Sequence, residues 1–201
     1  MSEKFNTRHT LINRVRLDRD EAAWEEFSEI YNQYIYLVVR QMGLEHHDAM
    51  DIVQDVMLIL YKKLPEVEIG GDAPGFRRWL STVTKNTTRN FLRSASRRAE
   101  RNEKAELTRR YDALESTTLP EIELIAQREW ETFICNRALA RIRNSFSGNA
   151  IAAFESSLNN EPAEQVAERL DIAVGSVYRL RTRVKRRLAE EVALLQSELE
   201  P

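Results

Sequence analysis

Tyr178, Arg179, Thr182, Arg183 and Arg186 fall on one side of a predicted helix when positions advance by about 100° per residue, with Lys185 and Arg187 flanking them. Guanidinium forks, a hydroxyl and an aromatic ring together suit hydrogen bonding to base edges and phosphates in a DNA major groove. An ordinary solvated helix alternates basic with acidic residues, but no acid occurs between Val174 and Leu188. The apolar residues beneath this face read as two short helices crossing steeply. Val166, Ala167 and Leu170 make one inward face, Ile172 and Val174 mark the turn, and Val177, Leu180, Val184 and Leu188 make the second. Small Ala167 lies where crossing helices come closest, and Gly175 with Ser176 supplies a flexible lead-in and a capping hydroxyl. Glu161 to Leu188 therefore carries helix-turn-helix spacing.

A second face of similar chemistry precedes it. Phe76, Trp79, Leu80, Val83, Thr87 and Phe91 recur as the core stripe of a long helix, and Arg78, Thr82, Lys85, Asn86, Arg89 and Arg93 lie along its other side. Basic groups mixed with an amide, hydroxyls and nearby aromatics suit a surface that follows a phosphate backbone and captures unstacked bases. This stretch is also free of acid from Phe76 to Ala99. The loop before it, Pro65 to Gly75, is broken by Gly70, Gly71, Pro74 and Gly75, with Asp72 as the expected helix cap.

A third surface has a different character. In a helix expected to open at Asp48, Ile52, Val53, Val56, Ile59 and Leu60 face inward. Asp48, Asp51, Gln54 and Asp55 share another side, with Leu58 one turn beyond Asp55. The helix dipole accounts for acids at Asp48 and Asp51 but not for Leu58. From Val56 to Tyr61 the helix is apolar almost all round and needs cover from more than one side. An acidic rim around an apolar centre reads as a protein-binding surface.

The elements that must hold these faces are helical. Continuous strand-like alternation is absent, and five prolines and six glycines in 201 residues are few, so the expected class is all-α. A helix capped by Asp18 or Asp20 runs to about Met42 and ends at Gly43, with Trp24, Phe27, Tyr31, Tyr34 and Tyr36 mostly in its core. Beyond Ser94 the composition turns charged. Residues 99–120 read as a frayed helix running into a linker, most flexible at Ser116, Thr117, Thr118 and Pro120. The expected organisation is two small helical domains, 1–98 and 121–201, joined by that linker. In the second, Glu121 starts a helix with Ile122, Trp130, Phe133, Ile134, Ala138 and Ile142 inward, and the acidic end Glu190 to Glu200 is expected to be solvated.

With 30 basic against 32 acidic side chains, overall charge says little about a nucleic-acid partner, and the local clusters decide. Cys135 is the only cysteine, which excludes an intrachain disulfide, and its place in a helical pattern predicts a small buried residue. His46 and His47 are adjacent, diverge in direction and lack a third ligand, so no metal is expected. No motif for metal, nucleotide or acid–base chemistry occurs, so the chain reads as no enzyme and as needing no cofactor. Met1 to Leu17 lacks an apolar segment of signal-peptide type, and no stretch approaches the roughly 20 apolar residues that span a bilayer; a cytoplasmic protein is expected.

The run from Asp48 to Leu58, DAMDIVQDVML, resembles the core-polymerase-binding helix of the sigma-70 family. Phe76 to Asn86, FRRWLSTVTKN, is similar to its promoter-melting helix, and Glu161 to Leu188 looks like its minus-thirty-five-reading module. Three motifs in this order, without further domains, resemble the short extracytoplasmic-function (ECF) group of sigma factors. The resemblance implies that Asp48, Asp51, Gln54, Asp55 and Leu58 meet core RNA polymerase. It implies that Ile69, Gly70, Gly71 and Asp72, with Arg78, Lys85, Asn86, Arg89 and Arg93, hold the opened non-template strand of the minus-ten element. It implies that Ser176, Tyr178, Arg179, Thr182, Arg183, Lys185 and Arg186 dock on minus-thirty-five duplex DNA. It also admits an anti-sigma factor as a partner. The rival reading is a dimeric helix-turn-helix regulator with an effector-binding first domain, which leaves the basic face from Arg78 to Arg93 without a role.

Overall fold

The computed structural model describes residues 10–18, 20–67, 74–98 and 101–199, and every regular element among them is helical. A short α1 (Leu11–Asn13) passes through a π turn, Arg14–Asp18, into α2 (Glu21–Gln41). Asp20 caps α2: its carboxylate accepts from the Ala22 backbone N–H at 3.0 Å and from the Arg14 guanidinium at 2.8 Å. That guanidinium, with help from the Ala23 N–H, holds the Asp20 carboxyl below the usual carboxylate range. Gly43, at φ +86°, turns the chain in a conformation that side-chain-bearing residues rarely adopt. The next helix, α3 (His46–Lys63), begins two residues before its expected start and leaves Asp48 in its first turn. A 3-10 turn, Leu64–Glu66, follows. Then come α4 (Pro74–Arg98), α5 (Arg101–Ser116), α6 (Leu119–Arg143), α7 (Gly148–Leu158), α8 (Ala163–Leu170) and α9 (Val174–Leu199).

Two compact units result, one of residues 1–131 with 198–201 and one of residues 132–197, so the division falls inside α6 rather than in the 99–120 stretch. The first is built on an aromatic core. Tyr31 stacks on Phe27 at 4.3 Å and on Trp130 at 5.7 Å, meets Phe76 edge-on at 5.4 Å, and is fully buried. Trp130 also meets Tyr34 edge-on at 5.1 Å, and the Tyr34 hydroxyl donates to the Ala126 carbonyl at 3.0 Å. Aromatic pairs at these separations add about 0.5–1.5 kcal/mol each beyond area burial. The first half of α6 is thus pinned into the core made by α2 and α4.

The buried side of α4 is turned from the expected stripe. Phe76, Leu80 and Thr87 are buried as expected, but Trp79, Val83 and Phe91 are only half-buried, while Ser81, Thr84, Thr88 and Leu92 are buried. The hydroxyls of Ser81 and Thr88 donate to the carbonyls of Arg77 and Thr84, both at 2.9 Å, so these polar residues enter the interior with their donors satisfied. This α4 side receives α5. Leu114 of α5 and Ile122 of α6 close on Leu92, with Met42, Phe91, Leu107 and Tyr111 around them.

The residues expected to be most flexible form a bonded corner. Thr118 donates its backbone N–H to the Glu121 carboxylate at 2.6 Å and its hydroxyl to the same oxygen at 2.9 Å, and the Glu121 N–H points back at the hydroxyl at 3.4 Å. This reciprocal capping box starts α6 at Leu119. The two Thr118 donors hold the Glu121 carboxyl below its ordinary value.

In the second unit Ile142, Ile151, Phe154 and Val184 form one cluster, and Ala153, Ala163, Val166, Ala167 and Val177 form another; Leu180 packs against both. Asp171, at φ +52°, closes α8 in the left-handed conformation and sends the chain directly into α9. The acidic tail differs from expectation: α9 continues to Leu199, and Glu191 is buried between Arg187 at 2.9 Å and Arg141 at 3.4 Å, as a buried charge requires. Cys135, expected inside, is exposed on α6.

Candidate nucleic-acid and partner interfaces

On α3, Asp51, Gln54, Asp55 and Leu58 are exposed and Asp48 is half-buried. Leu58 leaves 51% of its surface in solvent, and two apolar residues join it, Met50 at 44% and Tyr61 at 63%. Met50, Gln54, Leu58 and Tyr61 follow one another at spacings of four, four and three, so they form a single ridge, and Asp51 and Asp55 line its edge. Reading Leu58 alone missed the ridge; stepping outward from it by helical spacing finds both neighbours. His47 lies 3.7 Å from Asp51, and the other end of the ridge is braced where Trp24 meets Tyr61 edge-on at 5.1 Å. A rigid apolar ridge with carboxylates along one side suits a partner helix that carries apolar and basic residues.

On α4, Asn86 and Arg93 are exposed, whereas Lys85 and Arg89 are half-buried. The neighbours of the basic residues are specific. Arg78 pairs with Glu123 at 3.1 Å, Arg89 pairs with Glu115 at 3.5 Å, and the Lys85 ammonium donates to the Thr117 carbonyl. Ile69, Gly70, Gly71 and Asp72 lie outside the described residues.

On α9, Tyr178, Arg179, Thr182, Arg183 and Arg186 line one shallow groove. Arg183 rests its guanidinium 5.1 Å from the centre of the Phe146 ring, which fixes the direction of its fork. Ser176 lies inside the first turn rather than ahead of it, and its hydroxyl accepts from Arg179 at 3.0 Å, so it orients an arginine instead of capping the helix. Lys185 is exposed beside the groove, and Arg186 reaches Glu190 at 4.0 Å. Arg181 does something else. It donates to the carbonyls of Ala153 at 3.0 Å and Glu161 at 2.9 Å and to the Ser156 hydroxyl at 3.0 Å, tying α9 to the end of α7 and the start of the α8 loop. The sequence offers one cue to this division: Arg181 follows Val177 by four and precedes Val184 by three, on the inward side.

Residues 28–98 match the family model of sigma-70 region 2. That stretch carries a sigma-70 region 2. No curated protein and no solved structure matches it. Region 2 takes in most of α2, all of α3 and the whole of α4 to Arg98. The α3 ridge and the basic side of α4 are therefore both surfaces of this one sigma-70 region. Sigma-70 proteins are transcription initiation factors that act through RNA polymerase and promoter DNA, with no catalytic chemistry of their own. Among the described residues no group of three His, Cys, Asp or Glu is placed to hold a metal ion, and no helix is long and apolar enough to cross a membrane.

Proposed function

We propose that this sigma-70 protein is an alternative sigma factor of the ECF type. It binds core RNA polymerase through the α3 ridge, directs the enzyme to a two-part promoter in the cytoplasm and helps to open the minus-ten region. The α3 surface carries the reading: an exposed Leu58 flanked by Met50 and Tyr61 and edged by Asp51 and Asp55, inside sigma-70 region 2. Leu58, Gln54 and the carboxylates of Asp48, Asp51 and Asp55 are assigned to the polymerase.

The basic side of α4, with Lys85, Asn86, Arg89 and Arg93, is assigned with Arg78 and the residues 69–72 to the opened non-template strand. Binding energy gained only with the separated strand shifts the duplex equilibrium toward the open state, so melting needs no nucleophile. The groove of α9 reads the minus-thirty-five duplex as the second helix of a helix-turn-helix. Tyr178, Arg179, Thr182 and Arg183 meet the DNA from the start of the helix, and Ser176, Lys185 and Arg186 contact its backbone.

The test is specific initiation by the purified full chain with core RNA polymerase on a promoter library. Asp51→Arg combined with Asp55→Arg is expected to weaken core binding at least about tenfold, with helical content unchanged. Normal core affinity in that variant overturns the surface assignment. A dimer that binds DNA tightly and never associates with core enzyme overturns the sigma reading itself.

A further inference from the structure

The turn between α6 and α7 precedes the helix-turn-helix in the chain, yet it meets the DNA-facing side of α9. Its shape is set locally. Ser145 donates its backbone N–H to the Ile142 carbonyl at 2.9 Å and its hydroxyl to the same oxygen at 2.6 Å, and the Phe146 N–H reaches the Arg143 carbonyl at 3.3 Å. The Phe146 ring is half-buried and packs on the cluster of Ile142, Ile151, Phe154 and Val184, so its place follows from the core of the second unit. Against that ring sits the Arg183 guanidinium, 5.1 Å from the ring centre.

The three arginines of the α9 groove are thus held in three ways. Arg179 donates one N–H to the Ser176 hydroxyl at 3.0 Å, and Arg186 faces the Glu190 carboxylate at 4.0 Å. Both partners take up part of the N–H edge with which a guanidinium reads a base or grips a phosphate. A ring engages the flat face instead, leaves the in-plane N–H groups to a ligand and, being uncharged, does not neutralise the cation. An arginine also loses rotamer freedom when it docks, and a contact already made in the free protein reduces that loss.

We propose that Phe146 is a positioning residue for duplex reading: it pre-aims the Arg183 fork, so that the α6–α7 turn, and not the helix-turn-helix alone, sets the protein's preference at one base pair of the minus-thirty-five element. The inference rests on the assignment of the α9 groove to that duplex made above. A fork held in one direction rewards the base edge whose acceptors lie in line with it and loses contact with any other edge. A swinging fork adapts to a second base or to a phosphate, and so discriminates less. Removing the ring is therefore expected to cost discrimination at one position while contact with the DNA backbone persists.

The experiment presents a random duplex DNA pool to the full chain bound to core RNA polymerase. Sequencing the retained fraction gives the ratio of preferred to next-preferred base at each position. Such a ratio is independent of how much of the protein is folded, so lost stability alone does not move it. Arg183→Ala marks the position that this side chain reads. Phe146→Leu keeps an apolar side chain in the turn and is expected to lower the ratio at that same position about three- to fivefold, as loss of a cation–ring contact at an exposed site implies. The other positions are expected to stay as they are. Phe146→Tyr keeps a ring under the guanidinium and is expected to keep the natural ratio. A marked position that Phe146→Leu leaves intact overturns the positioning role alone, as does a Tyr variant that behaves like the Leu variant. If Arg183→Ala moves no position, or no sequence is enriched at all, the assignment of the α9 groove to duplex DNA fails and the proposal falls with it.

Discussion

The two basic helices, α4 and α9, look alike in the sequence and differ in what surrounds them. Neither basic stretch contains an acid, and both put arginines opposite an apolar stripe. The α9 groove is open, with Tyr178 56% exposed and its nearest acid, Glu190, only reaching Arg186 at 4.0 Å. On the α4 side, Glu115, Thr117 and Glu123 of a neighbouring segment already hold Arg89, Lys85 and Arg78. An acid-free run along one helix therefore describes what a face can bind, and the acids elsewhere in the same unit decide whether it is free. The difference also fits the DNA each face is proposed to meet. Duplex exists before the polymerase acts and rewards a rigid, ready surface, whereas an opened strand appears only during melting.

The largest effect tests whether the first half of α6 belongs with α4. Trp130→Ala is expected to cost the first unit about 3–5 kcal/mol in urea unfolding, because a fully buried ring between Tyr31 and Tyr34 leaves a cavity. A loss below about 1 kcal/mol would mean that this half of α6 does not hold the core and would remove the cover from the comparison. Next comes a contrast inside α9. Arg181→Ala is expected to destabilise the second unit by about 1.5–3 kcal/mol, since three acceptors lose a charged donor. Arg183→Ala is expected to cost no more than about 1 kcal/mol, the value of its contact with Phe146. The same change should weaken duplex promoter binding about tenfold. Reversal of that pattern would place the DNA-facing side elsewhere on the helix. Smaller again, Thr118→Ala removes the hydroxyl of the corner and should cost about 1 kcal/mol by thermal or urea unfolding.

Helices with a clean apolar stripe were legible: α2 from Asp20, α3 from its isoleucines and valines, and α8 with α9 from Val166 to Leu188. Where polar residues carry structure, the pattern failed. Ser81, Thr84 and Thr88 look like a solvated side but bury themselves by bonding back to their own helix or entering α4's packed side. That concealed the docking side for α5, and with it the folded state of residues 101–116. The Thr118–Glu121 box was readable by its spacing, yet the surrounding Ser, Thr and Pro suggested a flexible connection instead. Arg181 and Glu191 were hidden for a related reason: composition counts charges, while only packing tells which of them are inside. The candidate surfaces were legible as chemistry, since Leu58 among acids and arginines without acids are local patterns. The cover on α4 was not, because it depends on contacts between residues more than 25 positions apart in the chain.

The smallest expected effect follows from Glu121, which completes the corner and sits within the field of Lys85. Its carboxyl titrates below the ordinary glutamate value in the folded chain, chiefly because the Thr118 backbone N–H and hydroxyl donate to the ionised form. The unfolded chain titrates at the ordinary value, so it takes up the proton first as pH falls. The stabilising contribution is therefore present above the ordinary glutamate value and is lost as pH drops through the lower, folded one. Stability measured between about pH 5 and pH 3 should fall more steeply for the natural chain than for Glu121→Gln, which keeps an oxygen for Thr118 but cannot titrate. The Gln variant should start slightly less stable at neutral pH and lose less on acidification. If the two slopes coincide, the carboxylate does not hold the corner. Thr117 would then present its carbonyl to Lys85 through the packing of α5 alone, and the cover over α4 would owe its shape to Leu114 and Ile122 rather than to a charged cap.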